Sequence, residues 1–235
     1  MITGILVALP EELRTLTKTK IKQGECVTVA KNTIITLSGS GPENARIAAQ
    51  LLIAQDAKQL ISWGCAGALA PHLKAGDLVI PESICTQDNN LITTHTQWSK
   101  KIIASLASSI KFYTGTLLES DSVVALADTK NELYHSTHAL AVDMESGAVA
   151  RIAQQAQIPF IALRSIVDPA NLDLPLAINH AMTESGLVSI PKLLLYLCAH
   201  PNEIPRLIKL GLNFNAANKT LKQLAHQLPL ISQNQ

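Results

Sequence analysis

The most constraining feature of this sequence is a pair of acidic segments separated by one helix-like and one strand-like stretch. The first is Val142–Ser146 (VDMES), and the second is the apolar run Phe160–Val167, which ends at Asp168. Between them, Ser146–Gln155 has the apolar spacing of a helix, and Pro159 separates it from the β-branched run. We therefore expect acidic side chains at the ends of secondary-structure elements, where open α/β sheets place their chemistry.

Strand-like and helix-like segments alternate along the chain, which predicts an α/β fold with a three-layer α/β/α sandwich around a central mixed sheet. The predicted strands are Ile2–Leu9, Cys26–Ala30, Thr33–Leu37, Leu60–Trp63, Leu78–Ile80, Phe112–Leu117, Leu140–Val142 and Phe160–Leu163. The predicted helices are Pro42–Gln55, Lys100–Ile110, one from Thr129 and one from Met144.

Composition predicts one domain over residues 1–235, with a basic helical segment at 187–235. The net charge of +1 and the aromatic content of 3% argue against a nucleic-acid binder. From Lys192 onward the net charge is +4, and apolar residues recur at helical spacing. The recurring positions are Leu207, Leu210, Phe214, Leu221, Leu224 and Leu228. These helices could pack on the core or rest on an anionic membrane surface.

The cysteines and the apolar segments indicate a cytoplasmic protein. The four cysteines lack metal-site spacing, so reduced thiols fit better than disulfides. The N-terminus begins with a strand-like segment and shows no secretory signal. The apolar stretch Leu187–Cys198 contains Pro191 and Lys192 and is shorter than the roughly 20 residues of a transmembrane helix.

Three further motifs accompany the two acidic segments. They are Gly4–Glu12 (GILVALPEE), Ser38–Gly41 (SGSG) and Trp63–Pro71 (WGCAGALAP) with Gly76–Ile80 (GDLVI). Together these motifs resemble the superfamily of purine nucleoside phosphorylases and methylthioadenosine/S-adenosylhomocysteine nucleosidases, over residues 1 to about 170. Beyond that point the chain is most similar to the hopanoid-associated branch, which removes adenine from adenosylhopane.

The resemblance implies two catalytic carboxylates. Asp168 would protonate the purine as it leaves, which requires a carboxyl group held partly protonated by burial or by a neighbouring carboxylate. Glu12 would activate water. From the sequence alone, Asp168 could instead be a turn residue before Pro169, and Glu12 an acid in the first turn of a helix. Val167 departs from the Ser that nucleosidases commonly carry before the Asp, so Asp168 would need another orienting partner.

A second implied group would bind the ribose. Glu145 would grip the sugar hydroxyls, Met144 would lie against the sugar face, and Asp143 belongs to the same motif. Arg164 would either fix the Glu145 rotamer or form a plain structural ion pair. Without the resemblance, Glu145 would be interpreted as a solvated acid in the first turn of a helix, and Met144 as an ordinary residue of the apolar core.

The remaining implied substrate contacts flank the sugar and the base. Cys65 and Ala66 are expected in a turn near the ribose, and Gly67 permits close backbone approach. Val123 and Val124 would flank the purine, although relatives often carry an aromatic residue there. Gly-Ser-Gly is too short for a dinucleotide fingerprint, so no cofactor is implied, and the histidines lack metal spacing, so no metal is implied.

These observations predict an enzyme, an N-glycosidase that releases adenine from a nucleoside by hydrolysis, with adenosylhopane as the favoured substrate. Phosphorolysis is the alternative; the arginine that would bind phosphate is replaced at Ser62, but Arg14 lies nearby in sequence. Cleavage of methylthioadenosine or S-adenosylhomocysteine, and a nucleoside-binding module without turnover, are further alternatives. The resemblance also implies a homodimer, and the lipid-linked substrate implies possible peripheral contact with the inner membrane.

Overall fold

The computed structural model describes residues 1–181 and 190–227, which form an eleven-stranded mixed sheet flanked by helices. The strands are β1 (Thr3–Val7), β2 (Cys26–Ala30), β3 (Thr33–Leu37), β4 (Gln59–Ala68), β5 (Leu78–Val79), β6 (Ser83–Cys85), β7 (Leu91–Thr93), β8 (Phe112–Tyr113), β9 (Thr116–Glu119), β10 (Ala141–Asp143) and β11 (Phe160–Asp168). The helices are α1 (Pro10–Leu13), α2 (Pro42–Ala54), α3 (Thr96–Ser105), α4 (Ala127–Thr137), α5 (Ser146–Gln155), α6 (Leu176–Ala181), α7 (Ile190–Ala199) and α8 (Ile204–Ala225), with a 3₁₀ turn at Pro201–Glu203.

The sheet divides at its long central strand, β4. Its main path runs β2-β3-β1-β4-β10-β9-β6-β7, and a branch continues from β4 through β11 and β5 to β8. The first half of β4 pairs in parallel with β1, and β11 runs parallel to β4 on its other edge. Near the end of β4, Gly67 lies opposite both Val142 of antiparallel β10 and Asp168 of β11. The two acidic segments of the sequence therefore meet beside one glycine.

The core follows the alternation of side chains along the buried strands. In β1, Leu6 packs in one apolar cluster with Leu52 of α2 and Val149 of α5. Ile5 belongs to a second cluster, which includes Leu221 of α8. Helices thus cover both faces of the sheet, and the predicted mixed-sheet sandwich is confirmed.

Several predicted boundaries change in the structure. The third helix was predicted at 100–110 but spans Thr96–Ser105, because His95 Nδ1 accepts a hydrogen bond from Trp98 N and caps an earlier start. The predicted strand 112–117 is two short strands, β8 and β9. Strands β6 and β7 were not predicted, since three residues are too few to show a period.

The C-terminal segment is helical where it is described. Leu221 and Leu224 of α8 are buried in the core, whereas Leu207, Leu210 and Phe214 are half-buried and Leu228 lies outside the described residues. A different stripe, Ile204, Ile208 and Leu212, is exposed on α8. In the described part of the chain, no helix combines the length and apolar character needed to cross a bilayer.

Candidate active site

Glu12 is a buried carboxylate held by two backbone amides. It lies in α1, a four-residue helix that begins at Pro10 directly after β1. Its Oε2 accepts a hydrogen bond from Leu9 N at 3.1 Å, and its Oε1 accepts one from Cys65 N at 2.8 Å. Burial raises the pKa of Glu12, although nearby Arg164 acts in the opposite direction. The amides therefore fix the side chain beside β4 as a buried carboxylate.

Cys65, Ala66 and Gly67 form the strand wall of the site. Cys65 and Ala66 were expected in a turn, but all three residues belong to β4, because β11 pairs with this strand as far as Gly67. A Cβ added at Gly64 would come within 2.7 Å of Glu12 Oε1, and one added at Gly67 within 3.0 Å of Asp168 Oδ2. The two glycines, whose positions are roughly 10 Å apart along the strand, therefore each make room for one carboxylate.

Glu145 closes a third side of the site. It precedes α5, and its Oε1 accepts a hydrogen bond from Gly41 N at 2.9 Å. Gly41 has a φ of 99°, a conformation that favours glycine, and it precedes Pro42 at the start of α2. Burial raises the pKa of Glu145 to about 7, with Asp143 acting in the same direction. Met144, beside it, is half-buried.

Asp143 and Arg164 form a buried ion pair beneath Glu145. Arg164 Nε donates to Asp143 Oδ2 at 2.6 Å, and Nη2 donates to Ser62 Oγ at 2.6 Å and to Ser146 Oγ at 3.1 Å. The Arg164–Glu145 separation is 4.0 Å, so the first partner of Arg164 is Asp143, whereas the sequence suggested Glu145. Both side chains are almost completely buried. The ion pair therefore lies next to the Glu145 carboxylate.

Replacing Asp143 with Asn should destabilise the fold, because it leaves the Arg164 charge buried without its main counterion. We expect the free energy of unfolding to fall by about 3–5 kcal/mol, measured by urea denaturation. The matched control is Glu43→Gln, which removes a carboxylate from the exposed pair with Arg46 and should leave the denaturation midpoint nearly unchanged. Equal effects of the two substitutions would contradict a buried supporting pair.

Asp168 ends β11 at an irregular position of the sheet. Ile166 lies opposite Ala66 and Asp168 opposite Gly67, so Val167 is the extra residue of a bulge. Bulges re-aim side chains next to active sites. The carboxyl group is nine-tenths buried, and this burial raises the pKa of Asp168. Lys130 lies against it and acts in the opposite direction.

Lys130 is the buried polar residue that sequence reasoning missed. It lies on α4, its side chain is fully buried, and its Nζ donates to Asp168 Oδ2 at 2.6 Å. A lysine in an otherwise polar helix carries no local signal of burial, because the contact joins residues 38 positions apart. Lys130 is therefore a buried side-chain partner of Asp168, next to the position where Val167 replaces Ser.

The predicted base-flanking residues lie in the loop after β9. Val123 and Val124 are half-buried, and Val124 packs against a small apolar cluster that includes Leu118 and Val142. No aromatic residue lies in the Ser120–Leu126 loop. The loop therefore offers aliphatic rather than stacking contacts.

Comparisons with known proteins identify the family of this chain. The family model described as "Phosphorylase superfamily" matches residues 3–186. A 5'-methylthioadenosine/S-adenosylhomocysteine nucleosidase of Shewanella sediminis (strain HAW-EB3) is 29% identical over 177 residues, covering 66% of this chain and 76% of the relative.

Solved structures share the fold at lower identity. The 5'-methylthioadenosine/S-adenosylhomocysteine nucleosidase of Helicobacter pylori with butyl-thio-DADMe-Immucillin-A gives a TM-score of 0.71 at 21% identity, covering 99% of this chain and 98% of that one. Futalosine hydrolase of Helicobacter pylori strain 26695 gives 0.71 at 20% identity, covering 99% and 97%. The match over residues 3–186 confirms the predicted enzyme superfamily: the chain belongs to the phosphorylase superfamily.

Proposed function

We propose that this protein hydrolyses the N-glycosidic bond of an adenine nucleoside and releases adenine. The observation that carries the proposal is the placement of Glu12 and Asp168 at two positions along β4, with Glu145 buried and near enough to Glu12 for their charges to interact. Breaking this bond requires an acid for the leaving base, stabilisation of a cationic sugar and a base for water. Asp168, Glu145 and Glu12 supply these three functions.

The surroundings of Ser62 favour water over phosphate as the nucleophile. Ser62 is completely buried and its Oγ accepts a hydrogen bond from Arg164, whose charge is already opposed by Asp143. Arg14, the cation that kept phosphorolysis open, is 71% exposed and lies 3.6 Å from Glu11. Neither position resembles a bidentate phosphate clamp. Phosphorolysis therefore remains the alternative proposal rather than the preferred one.

The preferred substrate in this proposal is adenosylhopane, with methylthioadenosine and S-adenosylhomocysteine as the alternatives. The exposed apolar stripe on α8 and the sequence resemblance support a long apolar 5′ substituent. The names of the relatives support the smaller nucleosides. Burying three carboxylates costs folding free energy, and a binding module without turnover would have no catalytic use for them. This disfavours the non-catalytic alternative.

Product analysis tests these alternatives together. The protein is incubated with adenosylhopane, methylthioadenosine or adenosine, each with and without phosphate, and free adenine and the sugar product are measured. We expect adenine release that is independent of phosphate and fastest with adenosylhopane. A sugar 1-phosphate product would indicate phosphorolysis, and binding without adenine release would indicate a binding module.

We also propose a cytoplasmic homodimer in peripheral contact with the inner membrane. The exposed stripe Ile204, Ile208 and Leu212 lies beside exposed Lys209 on α8, and exposed Leu195 and Lys192 lie on neighbouring α7. An apolar stripe flanked by cations suits an anionic lipid surface.

Flotation with anionic liposomes at low and high salt, comparing the wild type with Lys192→Gln/Lys209→Gln, tests the membrane contact. We expect the wild type to float at low salt and the variant to float less. Failure of the wild type to float would reject the membrane contact. A dimer mass by light scattering that is lost in Ile208→Asp would assign the stripe to subunit contact instead.

A further inference from the structure

Lys130 is fully buried, yet each of its ammonium hydrogens has an acceptor. Nζ donates to Asp168 Oδ2 at 2.6 Å, to Leu172 O at 2.8 Å and to Pro169 O at 3.4 Å. Lysine is almost never fully buried unless it is paired, and an ammonium group has three donors and no acceptor capacity. With these three acceptors Lys130 has no donor left for a substrate, so any role in the reaction passes through Asp168.

We propose that Lys130 is a positioning residue that orients Asp168 and sets the strength of Asp168 as an acid, an inference that rests on the proposed hydrolysis. Lys130 holds Oδ2, which leaves Oδ1 to carry the transferable proton. Gly67 makes room on the strand side, since an added Cβ would lie 3.0 Å from Oδ2 and 3.2 Å from Oδ1. The carboxyl group is thus held between an ammonium group and a bare backbone.

The proton step balances as follows. Protonated Asp168 gives its proton to a ring nitrogen of the purine, the glycosidic C–N bond breaks with its electron pair on the base, and Asp168 becomes a carboxylate. Water adds to the sugar carbon and loses a proton to Glu12. Glu12 later releases this proton to solvent, and solvent protonates Asp168 again. The carboxylate formed at Asp168 is stabilised at once by Lys130, so the ammonium group makes Asp168 a stronger acid.

The other groups around Asp168 are few in the described part of the chain. Lys130 faces it from α4, and the Cys65 thiol of β4 interacts with its charge; burial mainly raises the pKa of Cys65, and the charges of Glu12 and Asp168 add to this. Gly67 contributes no side chain. Burial raises the pKa of Asp168 and Lys130 opposes this effect. Removing the ammonium group should therefore raise the Asp168 pKa further.

The test measures kcat and kcat/KM for adenine release against pH in Lys130→Met, which keeps an unbranched side chain as far as Cε and removes the ammonium group. Activity requires protonated Asp168 and is lost as pH rises through its pKa, so the alkaline limb reports this group. We expect this limb to move to higher pH in Lys130→Met, with a loss of about tenfold or more in maximal kcat. The acid limb should stay in place.

Two further variants keep the test decisive. Lys130→Gln removes the charge but keeps amide donors, so it should fold even if the Met variant does not, and it should shift the same limb. Lys100→Met makes the matched change at an exposed position on α3 and should leave the profile unchanged. Circular dichroism confirms the fold of each variant.

Three outcomes are distinguishable. A shifted alkaline limb in the charge-removed variants supports the inference. Reduced activity with no shift of the alkaline limb overturns the inference. Lys130 would then only stabilise the fold through its hydrogen bonds to the 169–172 turn. A wild type that releases no adenine from any nucleoside of the substrate panel rejects the proposed function itself, whatever the variants do.

Discussion

Asp168→Asn should abolish nearly all adenine release while preserving the fold and nucleoside binding. The amide cannot deliver the proton that lets the purine leave neutral, and general acid catalysis of this kind contributes about 10²- to 10⁴-fold. The amide oxygen can still accept the hydrogen bond from Lys130, so the position stays occupied. Single-turnover adenine release measures the loss, and calorimetric binding of an uncleaved nucleoside analogue measures retained affinity.

The control for this prediction is Asp128→Asn, which removes an exposed acid from α4, the helix that carries Lys130. It should leave turnover unchanged. Near-normal turnover of Asp168→Asn would contradict the assignment of Asp168 as the acid. Loss of binding as well as turnover would instead indicate that Asp168 mainly positions the substrate.

Glu12→Gln should lower hydrolysis by about 10²- to 10⁴-fold, and added phosphate should not restore it. Glu12 must be ionised to accept a proton from water, so wild-type activity should also fall as pH drops through its pKa, which burial raises. Both carboxylate oxygens accept backbone amides, so a Gln side chain turns its NH₂ group toward Leu9 N or Cys65 N. Part of the loss therefore comes from displaced geometry.

Glu11→Gln is the matched control, since Glu11 is the exposed neighbour of Glu12 in α1. It should retain full activity. Strict dependence of the wild type on phosphate, with ribose 1-phosphate as a product, would make the assignment of Glu12 to water wrong.

Local sequence signals located the secondary structure where they were strong. A helix from Met144 was predicted from the apolar spacing of Ser146–Gln155 and from Pro159, and α5 begins two residues later and spans Ser146–Gln155. The strand that begins at Phe160 was predicted to end at Leu163, yet β11 continues to Asp168 because β4 pairs with it throughout. Periodicity indicates where a strand begins more reliably than how far its partners extend it.

The site was only partly predictable because its contacts join distant segments. Glu12 and Cys65 are 53 positions apart, and Glu145 and Gly41 are 104 apart. The family resemblance named Glu12, Cys65 and Glu145 as site residues, but which atoms hydrogen-bond to one another is decided by tertiary packing. Lys130 illustrates the limit, since its burial depends on how α4 meets the end of β11.

The cysteines differ in burial, so one of them can be labelled selectively for spectroscopy. Burial raises the pKa of the Cys26, Cys65 and Cys85 thiols, which slows their reaction with alkylating reagents at neutral pH. Cys198, in contrast, is exposed on α7. A maleimide fluorophore should therefore label Cys198 first and report the polarity around the C-terminal helices, while the thiol beside Glu12 stays unmodified and the same sample can be assayed for turnover.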